Sequence, residues 1–182
     1  MRYFRDTNLM SSKKYILILF FTTLISFSQN SEDKTLALKV HNDARLEVGV
    51  NPLVWSNKLE KEALNYAKQL ARRNSFKHSK RTRNGENLAK FYEYIYSAGT
   101  KTNVYSSTPL YDSSIEWYNE IDNYRRSKIR KFRIGPKVGH YTQMVWKDTK
   151  RVGIASAVSK NGTVYIVARY YPAGNYLGEY PY

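Results

Sequence analysis

Two histidine–carboxylate pairs are the residues of this 182-residue chain best placed for chemistry near neutral pH. His78 lies eight residues before Glu86, and His140 lies twenty residues after Glu120. A carboxylate that accepts one imidazole N–H fixes the tautomer and leaves the other ring nitrogen for a metal, a water or a substrate. Spacing leaves two alternatives open. The four residues converge into one polar site, or each histidine caps a helix or satisfies a loop.

The third histidine, His41, is expected to have a structural role. It falls on the apolar stripe of a predicted helix, together with Ala37, Ala44 and Val48. A histidine in that position is more often a satisfied core residue than a ligand. His41 is therefore kept apart from the candidate site.

Composition excludes some chemistry and favours one class of partner. The chain has no cysteine, which excludes a disulfide framework, a thiol nucleophile and a cysteine-ligated metal. Its formal net charge of +15 favours anionic partners such as an anionic surface, an acidic glycan or a lipid head group. The chain contains no recognised nucleic-acid motif, so nucleic acid is not an expected partner.

Two basic segments flank the candidate pairs. One covers residues 72–83, and the other carries six cations in nine residues: Arg125, Arg126, Lys128, Arg130, Lys131 and Arg133. We expect the two segments to form a positive rim around the histidine–carboxylate pairs, with these six side chains as the candidate residues that bind an anionic ligand. The alternative is a pair of solvated loops that keep the protein soluble.

The N-terminus has the pattern of an export signal. Lys13 and Lys14 precede an apolar run over residues 15–27, which is too short to span a bilayer. Cleavage after Ser28 would make residues 1–28 a signal peptide and residues 29–182 a single domain. This predicts a secreted protein, extracellular or, in a bacterium, periplasmic. An uncleaved membrane anchor is the alternative, and no second apolar run follows.

Helices dominate the first part of the predicted domain. A helix is predicted over residues 32–48, and Ser56 is the expected N-cap of an amphipathic helix that extends to about residue 73. Residues 74–90 are predicted to contain short polar turns together with the segment GENLA, and most of residues 91–108 is predicted to be a surface loop. The pattern Ser113–Glu116 predicts a capping box at the start of a third helix.

The end of the chain is predicted to be mainly β. A short helix over 139–146 precedes a strand over 152–158 and a returning strand over 163–171, with a hairpin turn at Asn161–Gly162. Helices followed by a hairpin predict helices packed on an antiparallel sheet.

Six segments, in order along the chain, resemble the CAP superfamily of cysteine-rich secretory, antigen 5 and pathogenesis-related proteins. They are HNDAR at 41–45, FKHS around His78, GENLA at 85–89, WYNEIDNY at 117–124, GHYTQMVWKDT at 139–149 and YIVARYYPAGN at 165–175. The resemblance covers about residues 35–178. Ala168 stands where the family usually has a cysteine, which puts in doubt functions learned on disulfide-bonded members.

The resemblance implies an α+β fold, a three-layer α-β-α sandwich with an antiparallel sheet. It also implies a central cavity lined by a tetrad, matched here by His78, Glu86, Glu120 and His140. In some members the two histidines hold a divalent cation such as zinc, which with two protein ligands would be weak and exchangeable. The expected function is an extracellular binding module for an anionic or lipid-like ligand. A metal-assisted peptidase or esterase using the same tetrad is the alternative.

Overall fold

A computed structural model describes residues 31–80, 82–130 and 135–182. The predicted signal peptide and its cleavage at Ser28 lie outside these residues. Within the described ranges, the longest apolar stretches of helix fall short of what a membrane span requires.

A four-stranded sheet forms the middle layer, built from β1 (Val54–Trp55), β2 (Gly85–Phe91), β5 (Arg151–Val158) and β6 (Val164–Tyr171). The strand order is β1-β5-β6-β2. The β5–β6 pair is antiparallel, as predicted, and the β6–β2 pair is antiparallel too, while the two-residue β1 runs parallel to β5. The strand β2 therefore lies at one edge of the sheet.

The β5–β6 hairpin gives the sheet two apolar faces. Its turn contains Gly162 at φ +91°, a left-handed backbone that glycine adopts without steric cost. Along β6, Ile166, Ala168 and Tyr170 join one hydrophobic cluster, while Tyr165 and Val167 join another. Successive side chains of a strand point to opposite faces, so each cluster belongs to one side of the sheet.

One face is covered by α2 (Asn57–Arg73). The Ser56 side chain accepts the Leu59 N–H, which confirms the predicted N-cap. The helix ends at Asn74 in the left-handed conformation. Its apolar stripe packs on the second cluster through Ala63, Ala67, Leu70 and Ala71.

The other face is covered by α1 (Ser31–Glu47), α3 (Pro109–Tyr118) and α4 (Gly139–Met144), with a 3₁₀ helix over Asn119–Asn123. Trp117, Tyr141 and Met144 are almost wholly buried in the larger cluster on this side. Helices on both faces of a mostly antiparallel sheet confirm the predicted three-layer α-β-α sandwich.

Two local predictions were wrong, and GENLA, for which no element was predicted, belongs to strand β2. Residues 91–108 contain a second, two-stranded sheet of β3 (Glu93–Ser97) and β4 (Thr100–Val104) rather than a loop. Ala98 and Gly99 connect these strands, both at positive φ, as a tight hairpin turn requires. The third helix begins at Pro109, so Ser113 lies inside it and bonds back to the Pro109 and Leu110 carbonyls instead of capping.

Arg45 ties the end of α1 to the rest of the fold. Its guanidinium is fully buried and donates to four backbone carbonyls, those of Asn51, Met144, Trp146 and Thr149. Burial lowers the pKa of Arg45 to about 10, so the group is charged at neutral pH. One side chain thus satisfies the carbonyls of two irregular segments that pack on α1.

Candidate functional site

The four tetrad residues line one cleft, beside the edge strand β2. The cleft has a volume of about 910 Å³ and is open to solvent. Its walls come from β2, the 3₁₀ helix, the start of α4 and the segments around His78 and residues 127–130. Topology therefore brings His78, Glu86, Glu120 and His140 together, which spacing alone left open.

Glu120 links the 3₁₀ helix to the first turn of α4. Its Oε1 atom lies 2.7 Å from Nδ1 of His140, and its Oε2 atom accepts the backbone N–H groups of His140 at 2.9 Å and Tyr141 at 3.3 Å. The first N–H groups of a helix have no partner within the helix and favour negative charge. The carboxylate thereby fixes both the backbone and the ring of His140.

Glu86 holds the second histidine. Its Oε1 atom lies 2.6 Å from Nδ1 of His78 and accepts the Ser79 N–H at 3.0 Å. Its Oε2 atom accepts the Ser79 hydroxyl at 2.9 Å and lies 2.5 Å from a guanidinium nitrogen of Arg169. Arg169 is the cross-strand partner of Glu86 and lies under the ring of Tyr66, 5.0 Å from its centroid.

Both carboxylates have a pKa below the ordinary value near 4.5. Burial by itself raises the pKa of Glu86, but the His78 hydrogen bond, the Arg169 charge and the Ser79 donors together outweigh it. Burial likewise raises the pKa of Glu120, and the hydrogen bond and charge of His140 with the two backbone N–H groups outweigh it. At neutral pH both groups are therefore carboxylates that accept hydrogen bonds.

Asn87 supports the other side of β2. Its amide donates to the His140 carbonyl and to the Tyr170 hydroxyl, both at 3.1 Å. Because neighbouring strand residues face opposite sides, Glu86 anchors His78 while Asn87 anchors the backbone of His140. Asn87 therefore joins β2 to a helix that lies far along the sequence.

His41 is confirmed as a core histidine. It has no exposed surface, and its ring nitrogens lie 2.8 Å from the Ala37 carbonyl oxygen and 2.8 Å from the Tyr170 hydroxyl. Burial lowers its pKa to about 4, so the imidazole is neutral at physiological pH.

The predicted basic rim is only partly present at the cleft. Lys128 and Arg130 line it, while Arg125 bonds the Asp122 and Tyr124 carbonyls and Arg126 lies over the Tyr182 ring. Arg125 and Arg126 are thus held by partners other than the cleft. Lys131 and Arg133 lie outside the described residues. Lys77 of the first basic segment also lines the cleft, and so does Lys137, which was not predicted for the rim.

The C-terminal segment holds this rim in place. Ile129 donates its N–H to the Glu179 carbonyl at 2.8 Å and accepts the Gly178 N–H at 2.9 Å. The Lys128 ammonium lies 5.7 Å from the centroid of the Tyr180 ring. We call this pairing the rim clasp. It gives a definite position to a basic segment that has no helix or strand of its own.

Two contributors to the site were missed in the sequence. Arg169 carried a usable signal, since it is a charged residue in a strand that is otherwise apolar on both faces, and a buried charge usually has a polar partner. Phe76, 43% exposed at the cleft wall, carried none. Among residues 31–80, 82–130 and 135–182, no set of three or more metal-ligating side chains is arranged around a common point.

Comparison with known proteins agrees with the fold and the motif order. The family model for the cysteine-rich secretory protein family, CAP, matches residues 38–171. Golgi-associated plant pathogenesis-related protein 1 of Homo sapiens is 37% identical over 145 residues, covering 78% of this chain and 84% of that protein. Pathogenesis-related protein 1A of Nicotiana tabacum is 36% identical over 155 residues, covering 85% and 83%.

Solved structures show the same architecture. A crystal structure of NaASP2 with Zn²⁺ is 26% identical, with a TM-score of 0.66 over 84% of this chain and 85% of that one. A hookworm platelet inhibitor is 20% identical, with a TM-score of 0.60 over 84% and 76%. The sequence match over most of the domain and the shared fold together show that this chain belongs to the CAP family of cysteine-rich secretory proteins.

Proposed function

We propose that this CAP protein is secreted and acts as an extracellular binding module whose cleft takes an anionic or lipid-like ligand. The observation that carries the proposal is the charge around the cleft. Lys77, Lys128, Arg130 and Lys137 line it, while its two acidic residues, Glu86 and Glu120, are already paired within the protein. An anion entering the cleft therefore meets cations whose charge is not cancelled by a free carboxylate.

Placement of the cations favours a ligand that lies across the cleft. Lys77 precedes His78 in one wall segment, and Lys128 and Arg130 belong to another. Charges in water act over about 8 Å at physiological ionic strength. An anion between the walls would lie within reach of both groups, so affinity should fall as salt is added.

Apolar side chains in the same walls favour a ligand with a hydrocarbon part. Phe76, Leu88, Ile129 and Val138 line the cleft beside the cations. Binding sites for small molecules commonly combine an apolar lining with a few well-placed polar groups. An anionic amphiphile would satisfy both parts of this lining.

The paired carboxylates favour binding over hydrolysis. A general base needs a free lone pair directed at the substrate and a pKa near the working pH. Glu86 and Glu120 have their oxygens directed at protein donors and a pKa lowered below the ordinary value. Their geometry suits the orientation of His78 and His140, with each Nε2 left to interact in the cleft.

A divalent cation would fit between His78 and His140 without displacing the hydrogen bonds that orient them. Carboxylates that hold Nδ1 of metal-bound histidines are common supports, and the related NaASP2 was crystallised with Zn²⁺. His78 and His140 would hold such an ion through Nε2, and it would supply positive charge for the ligand. Two protein ligands make the site weak and exchangeable.

Binding of dodecyl phosphate, a single anion on an apolar chain, tests the proposal by titration calorimetry below its critical micelle concentration. We expect Lys128→Gln/Arg130→Gln to weaken binding about tenfold and to flatten its salt dependence. The matched control, Lys61→Gln/Lys68→Gln on the exposed face of α2, should bind normally. Neutral dodecyl maltoside should bind more weakly than the phosphate.

Two results would overturn the proposal. One is equal affinity of the wild-type protein for the phosphate and the maltoside at low salt. The other is a peptidase or esterase activity of the purified protein that disappears in His78→Ala/His140→Ala, which would establish the hydrolase instead. Repeating the dodecyl phosphate titration after chelation and after zinc addition measures the contribution of a bound zinc ion to the affinity separately.

A further inference from the structure

The β3–β4 hairpin and the residue before it present a line of exposed tyrosines that do not line the cleft. Tyr92, Tyr94 and Tyr96 are exposed by 42%, 46% and 68%. Tyr94 and Tyr96 alternate along β3 and so point to the same face of the hairpin, while Tyr92 immediately precedes that strand and lies beside the same lysine as Tyr94. We call the three residues the tyrosine ladder. Described residues of the hairpin belong to neither hydrophobic cluster and do not line the cleft.

The ladder is preorganised by contacts within the hairpin. Neighbouring rings pack on each other, with centroids 5.7 Å apart for Tyr92 and Tyr94 and 5.5 Å apart for Tyr94 and Tyr96. The Lys101 ammonium lies 4.9 Å from the centroid of the Tyr92 ring and 4.1 Å from that of the Tyr94 ring. A partner therefore meets rings that are already ordered, which lowers the entropic cost of binding.

Charge on this face has one sign. Lys101 and Asn103 are the cross-strand partners of Tyr96 and Tyr94 and share the ladder face. Glu93 pairs with Val104 and points to the opposite face. Aromatic rings with hydroxyl groups, one amide and one cation thus form a surface that offers stacking area, hydrogen bonds and a single positive charge.

We propose that the tyrosine ladder is a binding surface for a linear acidic polysaccharide, separate from the ligand site of the cleft. A sugar ring has an apolar C–H face and a rim of hydroxyls, which match the face and the hydroxyl of tyrosine. Three residues at alternate positions span about 13 Å along a strand, so the ladder fits an extended chain better than a compact ligand. A carboxylate on the sugar would bind Lys101.

Other occupants fit this face less well. Two-fold pairing of two copies through the ladder would bring Lys101 close to its own counterpart, and like charges would oppose it. An anionic membrane surface is usually bound by several cations, each of small effect, whereas the described ladder face has one.

Affinity electrophoresis of the purified protein in gels containing polygalacturonate tests the proposal, with dextran as the neutral polymer. We expect Tyr94→Ser/Tyr96→Ser to weaken polygalacturonate binding about tenfold or more. Lys101→Gln, which keeps the rings, should remove the preference for the acidic polymer. The control Tyr176→Ser changes a tyrosine that is 50% exposed outside the hairpin and should behave as wild type.

The cleft and the ladder are distinguished by testing the ladder variants with the cleft ligand and the cleft variant with the polysaccharide. Ladder variants should bind dodecyl phosphate normally, and Lys128→Gln/Arg130→Gln should keep most of its polygalacturonate affinity. The inference fails if Lys101→Gln retains the wild-type preference for the acidic polymer, or if the cleft variant alone loses the polymer. It also fails if the ladder changes abolish only binding to anionic vesicles or only self-association measured by sedimentation.

Discussion

Replacement of Arg169 by methionine removes the buried cation that faces Glu86. The two side chains are only 6% and 5% exposed and form an ion pair at 2.5 Å. Breaking a buried pair by removing one partner costs about 3–5 kcal/mol. We expect a loss of about 3 kcal/mol at pH 7, the lower end of that range, because His78 and Ser79 still donate to the carboxylate.

The loss should depend on pH with a definite sign. In the wild type, Glu86 has a folded-state pKa below its ordinary value near 4.5, so it stabilises the fold above that pH. That contribution disappears as the pH falls through the folded-state pKa. Without Arg169 the burial of Glu86 raises its pKa, so the carboxylate penalises the variant most at neutral pH. Acidification should therefore reduce the difference in free energy of unfolding between the variant and the wild type.

Urea unfolding at pH 7.0 and pH 4.0 measures both effects. Arg151→Met, at an exposed arginine of β5, is the matched control and should change the free energy of unfolding little. The double variant Glu86→Gln/Arg169→Met should recover part of the loss, since it leaves no buried charge. A difference in free energy of unfolding between Arg169→Met and the wild type below about 1 kcal/mol at pH 7 would refute the ion-pair argument. A difference of equal size at both pH values would refute it too.

Three further changes test other parts of the structure. As the pH falls from 6.5 to 4, the unfolded chain protonates His41 before the native protein does, which lowers the free energy of unfolding by about 3 kcal/mol. His41→Phe should remove this part of the pH dependence, measured by urea unfolding. Gly178→Pro removes a rim-clasp N–H and a positive φ, so it should weaken dodecyl phosphate binding in calorimetry, while Gly99→Pro on the hairpin should not. In Gly153→Ala the new Cβ meets backbone of α2, and thermal unfolding should show about 1–3 kcal/mol of destabilisation, whereas Gly139→Ala meets no atom within 4 Å and should be neutral or slightly stabilising.

Local signals predicted the elements whose neighbours in sequence are also their neighbours in space. The helix that follows Ser56 was predicted closely because its cap and its apolar stripe are both local. The β5–β6 hairpin was predicted because the Asn161–Gly162 turn joins two apolar strands. In both cases the pattern that sets the element lies within the element.

Secondary-structure predictions failed where a segment buries none of its side chains in the core, or where two local signals competed. The β3–β4 hairpin was interpreted as a loop, since its strands are exposed and lack the contrast between buried and solvated positions. Alternating tyrosines before Ala98–Gly99 were the overlooked signal. At the third helix, Pro109 at the first turn outweighed the Ser113–Glu116 pattern.

The site residues were predicted through the family resemblance, whereas their arrangement required the tertiary fold. Spacing could not show that Glu120 would accept the first N–H groups of α4, or that Arg169 would lie opposite Glu86. Both contacts join segments at least twenty residues apart. The prediction of the basic rim failed in part because Arg125 bonds carbonyls of its own neighbours and Arg126 lies over the ring of Tyr182, far along the chain.

The buried guanidinium of Arg45 has a consequence for where this protein can fold. It joins α1 to the carbonyls of three distant residues, a long-range link of the sort that secreted domains often make with disulfides. Because the chain contains no cysteine, no oxidation step precedes the native state. Its folding yield should therefore be the same in reducing and in oxidising buffers, and independent of disulfide isomerases.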